Sequence, residues 1–163
     1  MKRIFLFLVL IISALTLSAQ DKIVLRLMGD STMADKDLSY ENPERGWGQR
    51  LKSHVDTNVV VANYAQNGRS TKSFINEGRW DKVLARIRPG DYVFIQFGHN
   101  DASKRPERHA SYADYRKNLI RMINEVRAKG ATPVLLTSMV QRTFQKGLLV
   151  DDRLKGYPGI VRR

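Results

Sequence analysis

Short apolar runs alternate along this chain with longer stretches in which apolar residues recur at helical spacing. The short runs are rich in β-branched residues and predict four strands, which lie at 23–28, 59–62, 92–97 and 133–137. Helical spacing predicts helices in the intervening segments, which lie at 49–54, 71 onwards, 80–87 and 112–129. Strands that alternate with helices indicate an α/β fold whose parallel strands are joined by right-handed crossovers.

The helix predicted over 112–129 has the clearest pattern. Its apolar positions share one face and are Tyr115, Leu119, Met122, Ile123 and Val126. Gly130 suits the position just past the end of this helix. Thr71 is predicted to cap the helix that follows it. The polar segment 141–155 predicts irregular structure, and Pro158 suits the first turn of a further helix.

Residues 1–19 predict a cleaved secretory signal peptide. A basic start precedes an apolar run over 4–17, and small residues follow it, so cleavage is expected near Ala19. The run, about 14 residues long, is shorter than the roughly 20 that span a bilayer, which argues against the alternative of a stable membrane anchor. We therefore expect an exported bacterial protein, periplasmic or extracellular, whose folded domain occupies residues 20–163.

The composition narrows the choice of partners. The chain contains no cysteine, which excludes disulfides and thiolate metal sites, and its formal net charge is +12. Such a charge suits a nucleic acid, an anionic membrane or an acidic polysaccharide. The basic residues are scattered, no nucleic-acid motif is present, and export argues against a nucleic acid. An acidic polysaccharide is therefore the favoured specific partner, and a generally basic surface without one explains the charge equally well.

Three polar loops follow successive predicted strands, and they lie at 30–33, 63–71 and 98–101. Binding sites of open parallel sheets lie beyond the carboxyl ends of the strands, so these loops are expected to form the site. Ser31 follows a strand and a glycine, which suits either an exposed nucleophile or a helix cap. Gly68 allows a ligand to approach the backbone closely or simply forms a turn, and Asn100 offers an amide donor or an Asx turn.

The order of these residues resembles that of the SGNH hydrolases. Gly29-Asp30-Ser31 matches their first block, Gly68 matches the glycine of their second, and Gly98-His99-Asn100-Asp101 matches their third. The resemblance implies a flavodoxin-like three-layer α/β/α fold in which Ser31 is the nucleophile. It also implies an oxyanion hole, formed by the N–H groups of Ser31 and Gly68 and the side chain of Asn100, and no cofactor. Supporting roles are expected for Asp30, Asn63 and Asp101.

Longer matches, spread over about residues 25–101, resemble the rhamnogalacturonan acetylesterases. The matching blocks are Gly29-Asp30-Ser31-Thr32-Met33-Ala34, Gly46-Trp47-Gly48, Asn67-Gly68-Arg69-Ser70-Thr71-Lys72-Ser73-Phe74, Glu77-Gly78-Arg79-Trp80 and Gln96-Phe97-Gly98-His99-Asn100-Asp101. The resemblance implies a serine carbohydrate esterase that removes acetyl groups from pectin, whose uronic acids suit the basic charge. Arg69, His99 and Trp47 are candidate substrate contacts. The alternatives are a solvent-facing Arg69 and core packing of Trp47 and Trp80.

The last block of that family, Asp-x-x-His, supplies the catalytic base and the acid that orients it. No histidine of this chain follows an aspartate at that spacing, and His54 and His109 are expected to be structural or solvated. We therefore expect the domain over 20–163 to be C-terminally truncated, lacking the last strand and this block. By itself it should be impaired, because a serine needs a base to become a nucleophile. The alternative functions are a lipase or lysophospholipase-type esterase and a non-catalytic homologue.

Overall fold

Four parallel strands form the main sheet in the computed structural model of the protein, which describes residues 22–150 and 154–163. The strands are β1 (Ile23–Gly29), β2 (Val59–Asn63), β3 (Tyr92–Gln96) and β4 (Thr132–Leu135). Their order across the sheet is β2-β1-β3-β4, so the first strand is central. The predicted α/β fold with a parallel sheet is confirmed, and the predicted signal peptide lies outside the described residues.

Helices lie between and after these strands. They are α1 (Trp47–Leu51), α2 (Thr71–Asn76), α3 (Arg79–Leu84), α4 (Tyr112–Ala128) and α5 (Tyr157–Val161), with 3-10 turns at Ser39–Glu41 and Lys52–His54. Ser111 caps α4, because its Oγ accepts a hydrogen bond from the N–H of Asp114. The prediction of this helix is confirmed to within one residue. In the ranges that the structure describes, no helix is long and apolar enough to cross a bilayer.

Two apolar clusters, one on each face of the sheet, establish the three-layer α/β/α arrangement. The larger cluster joins the sheet to α2, α3, α4 and α5, and its buried members include Met28, Phe74, Trp80, Tyr115 and Tyr157. The smaller cluster joins the sheet to α1 and is built around Leu27, Met33 and Val61. Leu27 and Met28 are neighbours in β1 and belong to different clusters, as expected of a strand that is buried on both faces.

A buried ion pair joins β1 to the turn before β3. Nε of Arg26 donates to Oδ2 of Asp91 at 2.6 Å, and both side chains are more than nine-tenths buried. The same Oδ2 accepts from the N–H of Arg88 at 2.8 Å, and Nη1 of Arg26 donates to the hydroxyl of Tyr64 at 3.1 Å. These hydrogen bonds compensate for the hydration that both charges lose on burial.

The sequence prediction was wrong about the residue that caps α2. Ser70 is the N-cap, since its Oγ accepts from the N–H of Ser73 at 3.1 Å, and Oγ of Ser73 accepts from the N–H of Ser70 at 2.9 Å. This reciprocal capping box satisfies N–H groups that the start of a helix leaves unpaired. Thr71 is the first helical residue, and its hydroxyl donates to Asp101 instead.

The segment predicted to be irregular contains a short hairpin. Its strands, β5 (Phe144–Gln145) and β6 (Leu148–Leu149), pair in antiparallel orientation. The two connecting residues, Lys146 and Gly147, have φ angles of 50° and 78°. A two-residue turn with positive φ at both positions matches the twist of hairpin strands, and glycine adopts that conformation without strain. Pro158 lies in the first turn of α5, as the sequence predicts.

Candidate active site

Ser31 lies in a tight turn directly after β1, at the carboxyl edge of the sheet. The carbonyl of Asp30 accepts from the N–H groups of Met33 at 3.2 Å and Ala34 at 3.0 Å, which closes the turn. Oδ1 of Asp30 accepts from the N–H of Thr32 at 2.9 Å and from its hydroxyl at 2.8 Å. The turn therefore holds the backbone on both sides of Ser31. Among the described residues, neither Oγ nor the N–H of Ser31 has a hydrogen-bond partner.

A cleft of about 310 Å³ brings Ser31 together with Asn100. The residues that line it are Ser31, Thr32, His99, Asn100, Met139, Val140 and Gln141. Ser31 and Asn100 belong to the loops that follow β1 and β3, and these strands are paired neighbours in the sheet. An acyl group bound in this cleft would meet a hydroxyl and an amide donor, which are two of the groups that acyl transfer uses.

Two contacts fix the orientation of the Asn100 amide. Nδ2 donates to the carbonyl of Arg69 at 3.1 Å, and Nη1 of Arg108 donates to Oδ1 at 3.4 Å. An asparagine Nδ2 carries two N–H groups, so the second one stays available for a ligand. Arg108 belongs to none of the matched sequence blocks, and sequence reasoning missed it.

Gly68 lies beside this cleft and outside its lining, and Arg108 connects the two. The φ angle of Gly68 is 75°, in the left-handed region that favours glycine. A Cβ at this position would lie 3.3 Å from the guanidinium of Arg108, so the two groups approach each other closely. Within the described part of the chain the N–H of Gly68 donates to no acceptor, as expected of a group that serves an oxyanion.

Gln96, the last residue of β3, was also missed, and it links three segments around the site. Its Oε1 accepts from the indole N–H of Trp47 at 2.7 Å and lies 3.3 Å from Oγ1 of Thr32. Its Nε2 donates to the carbonyl of Thr137 at 2.9 Å. Its role could have been predicted from its place at the end of an apolar strand, because a buried polar side chain needs hydrogen-bond partners.

The two tryptophans pack within the protein, as the alternative to sugar stacking predicts. Trp47 is partly buried against the smaller cluster, and its indole N–H donates to Gln96. Trp80 is fully buried, and its N–H donates to the carboxylate of Glu125. The polar edges of both indoles are therefore used within the protein.

Asn63, at the end of β2, joins the first loop to the second. Its Nδ2 donates to the carbonyl of Met33 at 3.0 Å and to Oδ1 of Asp35 at 2.7 Å. Its Oδ1 accepts from the N–H of Ala65 at 3.1 Å. Every polar atom of this amide thus holds one of the two loops, which is the arrangement expected of a supporting residue.

The two polar candidates for substrate contact differ in their surroundings. Nε of Arg69 lies 3.1 Å from both carboxylate oxygens of Glu77, which also accepts from Arg79 at 2.6 Å. The pKa of Glu77 is lowered, mainly by its hydrogen bond with Arg79 and additionally by Arg69. The charge of Arg69 is therefore paired with that of Glu77. His99 lines the Ser31 cleft, and its Nε2 is buried without a hydrogen-bond partner among the described residues. His99 is therefore the better placed of the two to meet a ligand.

In the ranges 22–150 and 154–163, no histidine is hydrogen-bonded to Ser31. His54 is exposed in a 3-10 turn, and Nδ1 of His109 lies 3.0 Å from the carbonyl of Asp101. The same ranges hold no group of three or more histidine and carboxylate side chains placed to bind a metal ion. This part of the chain places the Ser31 hydroxyl and the Asn100 amide in one cleft, and within it no side chain accepts a hydrogen bond from Oγ of Ser31.

Asp101, the last residue of the third block, ties its loop to two helices. Oδ1 accepts from the N–H of Thr71 at 3.0 Å and from its hydroxyl at 2.5 Å, and Asn118 of α4 donates to that hydroxyl at 3.0 Å. Oδ2 is buried and has no partner within the described residues. Burial raises the pKa of Asp101 to about 7, although the hydrogen bonds from Thr71 oppose the rise.

Asp101→Asn is expected to gain stability relative to the wild type as the pH rises from about 4 to about 7. The folded protein keeps the Asp101 proton up to a pH of about 7, whereas the unfolded chain releases it near 3.8. The stability that the wild type gains from this proton is fully present below the pKa of Asp101 in the unfolded chain. It is lost as the pH rises through the pKa of Asp101 in the folded protein. Urea unfolding should show a relative change of a few kcal/mol, at about 1.4 kcal/mol per pKa unit. The exposed Asp56→Asn is the control, and equal pH profiles for wild type and Asp101→Asn would refute the assignment.

Comparison with known proteins decides the family. The model of the GDSL-like lipase/acylhydrolase family matches residues 27–163, which include all three loops of the site. This chain belongs to the GDSL-like lipase/acylhydrolase family. The resemblance drawn from the three sequence blocks is thereby confirmed, and the turn that carries Ser31 is the Gly-Asp-Ser turn of a GDSL protein.

Two proteins of Bacillus subtilis (strain 168) resemble this GDSL chain over most of its length. "Probable rhamnogalacturonan acetylesterase YesY" is 41% identical over 128 residues, which are 77% of this chain and 58% of that protein. Rhamnogalacturonan acetylesterase RhgT is 38% identical over 136 residues, which are 83% of this chain and 57% of that protein. The chain thus spans somewhat more than half the length of these relatives.

A solved structure agrees with the fold of this GDSL chain. The crystal structure of the YxiM protein of Bacillus subtilis superimposes with a TM-score of 0.75 at 30% sequence identity. The superposition covers 86% of this chain and 40% of that one. The parallel sheet and its flanking helices therefore recur in a solved structure of a related protein.

Proposed function

We propose that this chain carries the nucleophile and the oxyanion hole of a serine esterase that removes acetyl groups from pectin-type polysaccharide. The observation that carries the proposal is the placement of Ser31 and Asn100 in one cleft, after neighbouring parallel strands. Membership of the GDSL family supports ester hydrolysis by Ser31. The two relatives named as rhamnogalacturonan acetylesterases support the class of substrate.

The chemistry proceeds through an acetyl-enzyme. Oγ of Ser31 attacks the acetyl carbonyl carbon while a base takes its proton. The carbonyl oxygen becomes negatively charged, and Nδ2 of Asn100 and the N–H groups of Ser31 and Gly68 donate to it. The sugar oxygen then leaves with the proton from the base, and water repeats the two steps and releases acetate. The family resemblance assigns the base and its acid to an Asp-x-x-His block, which these 163 residues do not contain.

A second cleft, of about 700 Å³, supports an acidic substrate. Its lining includes Lys104, His109, Tyr112 and Lys155. The cleft also contacts Ser103, whose N–H donates to the carbonyl of Asn100 at 3.1 Å, so one loop borders both clefts. Ammonium groups suit the carboxylate of a uronic acid, and an exposed aromatic ring suits the face of a sugar.

Replacement of Lys104 and Lys155 together by alanine is expected to raise KM for acetylated rhamnogalacturonan about three- to tenfold, the effect of losing exposed charge pairs. The KM for neutral nitrophenyl acetate should not change, because that ester carries no carboxylate. The matched control replaces the exposed Lys117 and Lys129, which lie outside this cleft. An equal rise in KM for both esters, or for the control pair, would rule out charge recognition in this cleft.

Asn100→Ala is expected to lower kcat about 10²- to 10³-fold, because one oxyanion donor is lost while the nucleophile remains. The KM should change little, since the donor acts mainly on the charge that develops in the transition state. Asn67→Ala provides a control, because Asn67 is exposed and its Oδ1 accepts from Nζ of Lys36 at 3.0 Å. A wild-type kcat for Asn100→Ala would exclude the Asn100 side chain as an oxyanion donor.

The proposal is tested by measuring acetate release from acetylated rhamnogalacturonan by the complete gene product. A series of nitrophenyl esters of increasing chain length, measured alongside, should show hydrolysis of the acetate and steep loss for longer acyl groups. A lipase or lysophospholipase-type esterase would show the opposite preference. Release of long acyl chains with no acetate from the polysaccharide would disprove the assignment.

We also propose that the protein is exported to the periplasm or beyond. The basic start, the apolar run and the small residues near Ala19 support a cleaved signal peptide. Mass spectrometry of the protein purified from its native host should find a chain that begins close to Gln20. An intact N-terminus on protein from the cytoplasmic fraction would disprove export.

A further inference from the structure

One guanidinium contacts both of the residues that flank Ser31 in the proposed oxyanion hole. Nη1 of Arg108 lies 3.4 Å from Oδ1 of Asn100. A Cβ built on Gly68 would lie 3.3 Å from Cζ and from both Nη atoms of that guanidinium. Equal distances to three atoms of a planar group mean that the guanidinium lies flat over Gly68. Arg108 therefore connects the loop after β2 to the loop after β3.

The hydrogen bonds of Asn100 show what this contact does. The oxygen and nitrogen ends of an amide have almost the same shape, so its partners decide which way it points. A guanidinium only donates and selects Oδ1, whereas the carbonyl of Arg69, 3.1 Å from Nδ2, only accepts and selects the nitrogen. A flipped amide would place donor against donor and acceptor against acceptor. With the observed orientation, the second N–H of Nδ2 is left for the substrate oxyanion.

We propose that Arg108 is a positioning residue for the oxyanion hole. It holds the Asn100 amide in its donating orientation, and its packing on Gly68 holds the guanidinium in the place from which it reaches Asn100. Arg108 also forms an ion pair with Glu107, whose Oε1 lies 3.8 Å from Nε and whose side chain is mostly exposed. This ion pair involves Nε, so Nη1 remains available to Asn100. The inference rests on the proposed esterase function and adds a residue that lies in none of the matched sequence blocks.

The test uses the complete gene product and neutral nitrophenyl acetate, so that no substrate carboxylate is present. Arg108→Met is expected to lower kcat about tenfold at unchanged KM, the size of one hydrogen bond to a charged group. Arg108→Lys still donates a hydrogen bond but has no planar group to lie over Gly68, so it should recover part of the loss. Arg105→Met, which changes an exposed arginine of the same loop, is the control and should keep the wild-type kcat.

A double-mutant cycle with Asn100 distinguishes positioning from a general loss of charge or structure. If Arg108 acts through Asn100, Arg108→Met in an Asn100→Ala background should cost less than about twofold. A full tenfold loss in that background would overturn the proposal. A normal rate on the neutral ester with a raised KM for acidic polysaccharide would also overturn it, because Arg108 would then be a substrate contact. Ser31→Ala is measured alongside, and activity retained by that variant would count against the esterase assignment itself.

Discussion

Ser31→Ala is expected to remove almost all acetate release by the complete gene product. The alanine leaves the turn intact, because the hydrogen bonds that close it come from Asp30, Thr32, Met33 and Ala34. It also keeps the backbone N–H that is proposed to donate to the oxyanion. What disappears is the oxygen atom that forms the acetyl-enzyme. Loss of the nucleophile in a serine hydrolase lowers kcat by about 10⁶-fold, with a residual rate supplied by the oxyanion hole and substrate binding.

The measurement is acetate release under saturating substrate, with urea unfolding of each variant to confirm an intact fold. Ser53→Ala is the matched control, because Ser53 is an exposed serine whose Oγ donates to the carbonyl of Arg50. Its kcat should equal that of the wild type. A folded Ser31→Ala protein that retains a substantial share of the wild-type kcat would exclude Ser31 as the nucleophile.

Arg26→Met is expected to lower the free energy of unfolding by about 3–5 kcal/mol, the usual cost of leaving one member of a buried ion pair without its partner. The Asp91 carboxylate would stay buried, and among the described residues it would keep the N–H of Arg88 as its one donor. The methionine fills much of the space of the arginine stem, so the loss reports the charge and its hydrogen bonds. Urea unfolding of both proteins at neutral pH measures the difference.

The double variant Arg26→Met, Asp91→Leu should recover part of that loss, because it buries no charge. Arg50→Met serves as the control, since Arg50 is exposed and its side chain should contribute within about 0.5 kcal/mol. A single variant as stable as the wild type would contradict the account of this ion pair. So would a double variant that is no more stable than the single one.

The parts of the site that carry the chemistry were predictable because of where parallel strands end. Ser31 and Asn100 follow different predicted strands, and the rule that loops meet at the carboxyl edge was enough to expect them together. The structure places both in one cleft. Gly68 follows the second predicted strand and lies beside the cleft, with Arg108 between Gly68 and Asn100.

The side chains that support the site were not predictable from the same pattern. Arg108 lies in a polar loop with Arg105, and only the folded path of that loop over Gly68 distinguishes the two arginines. Gln96 obtains its partners from segments about 40 to 50 positions away, at Trp47 and Thr137. Arg69 was singled out for its position next to Gly68, yet its charge is met by Glu77 eight residues further on.

Two local features escaped the sequence rules for physical reasons. The capping box of α2 has Ser73 in the place where glutamate or glutamine is usual, so the sequence shows no capping-box pattern at Ser70. The hairpin formed by Phe144–Gln145 and Leu148–Leu149 has strands of two residues each, too short for alternation to be visible. The start of α2 and the turn of the hairpin both depend on backbone conformation, which the pattern of apolar residues does not reveal.

Covalent labelling of the nucleophile tests the central claim most directly. A reactive organophosphate such as diethyl nitrophenyl phosphate transfers its phosphoryl group to an activated serine and forms a stable ester. Mass spectrometry of the treated complete gene product should find one diethyl phosphate, on Ser31, with acetate release lost in proportion to labelling. Inactivation with the label on another residue, or a labelled Ser31 with acetate release intact, would contradict the assignment of Ser31 as the esterase nucleophile.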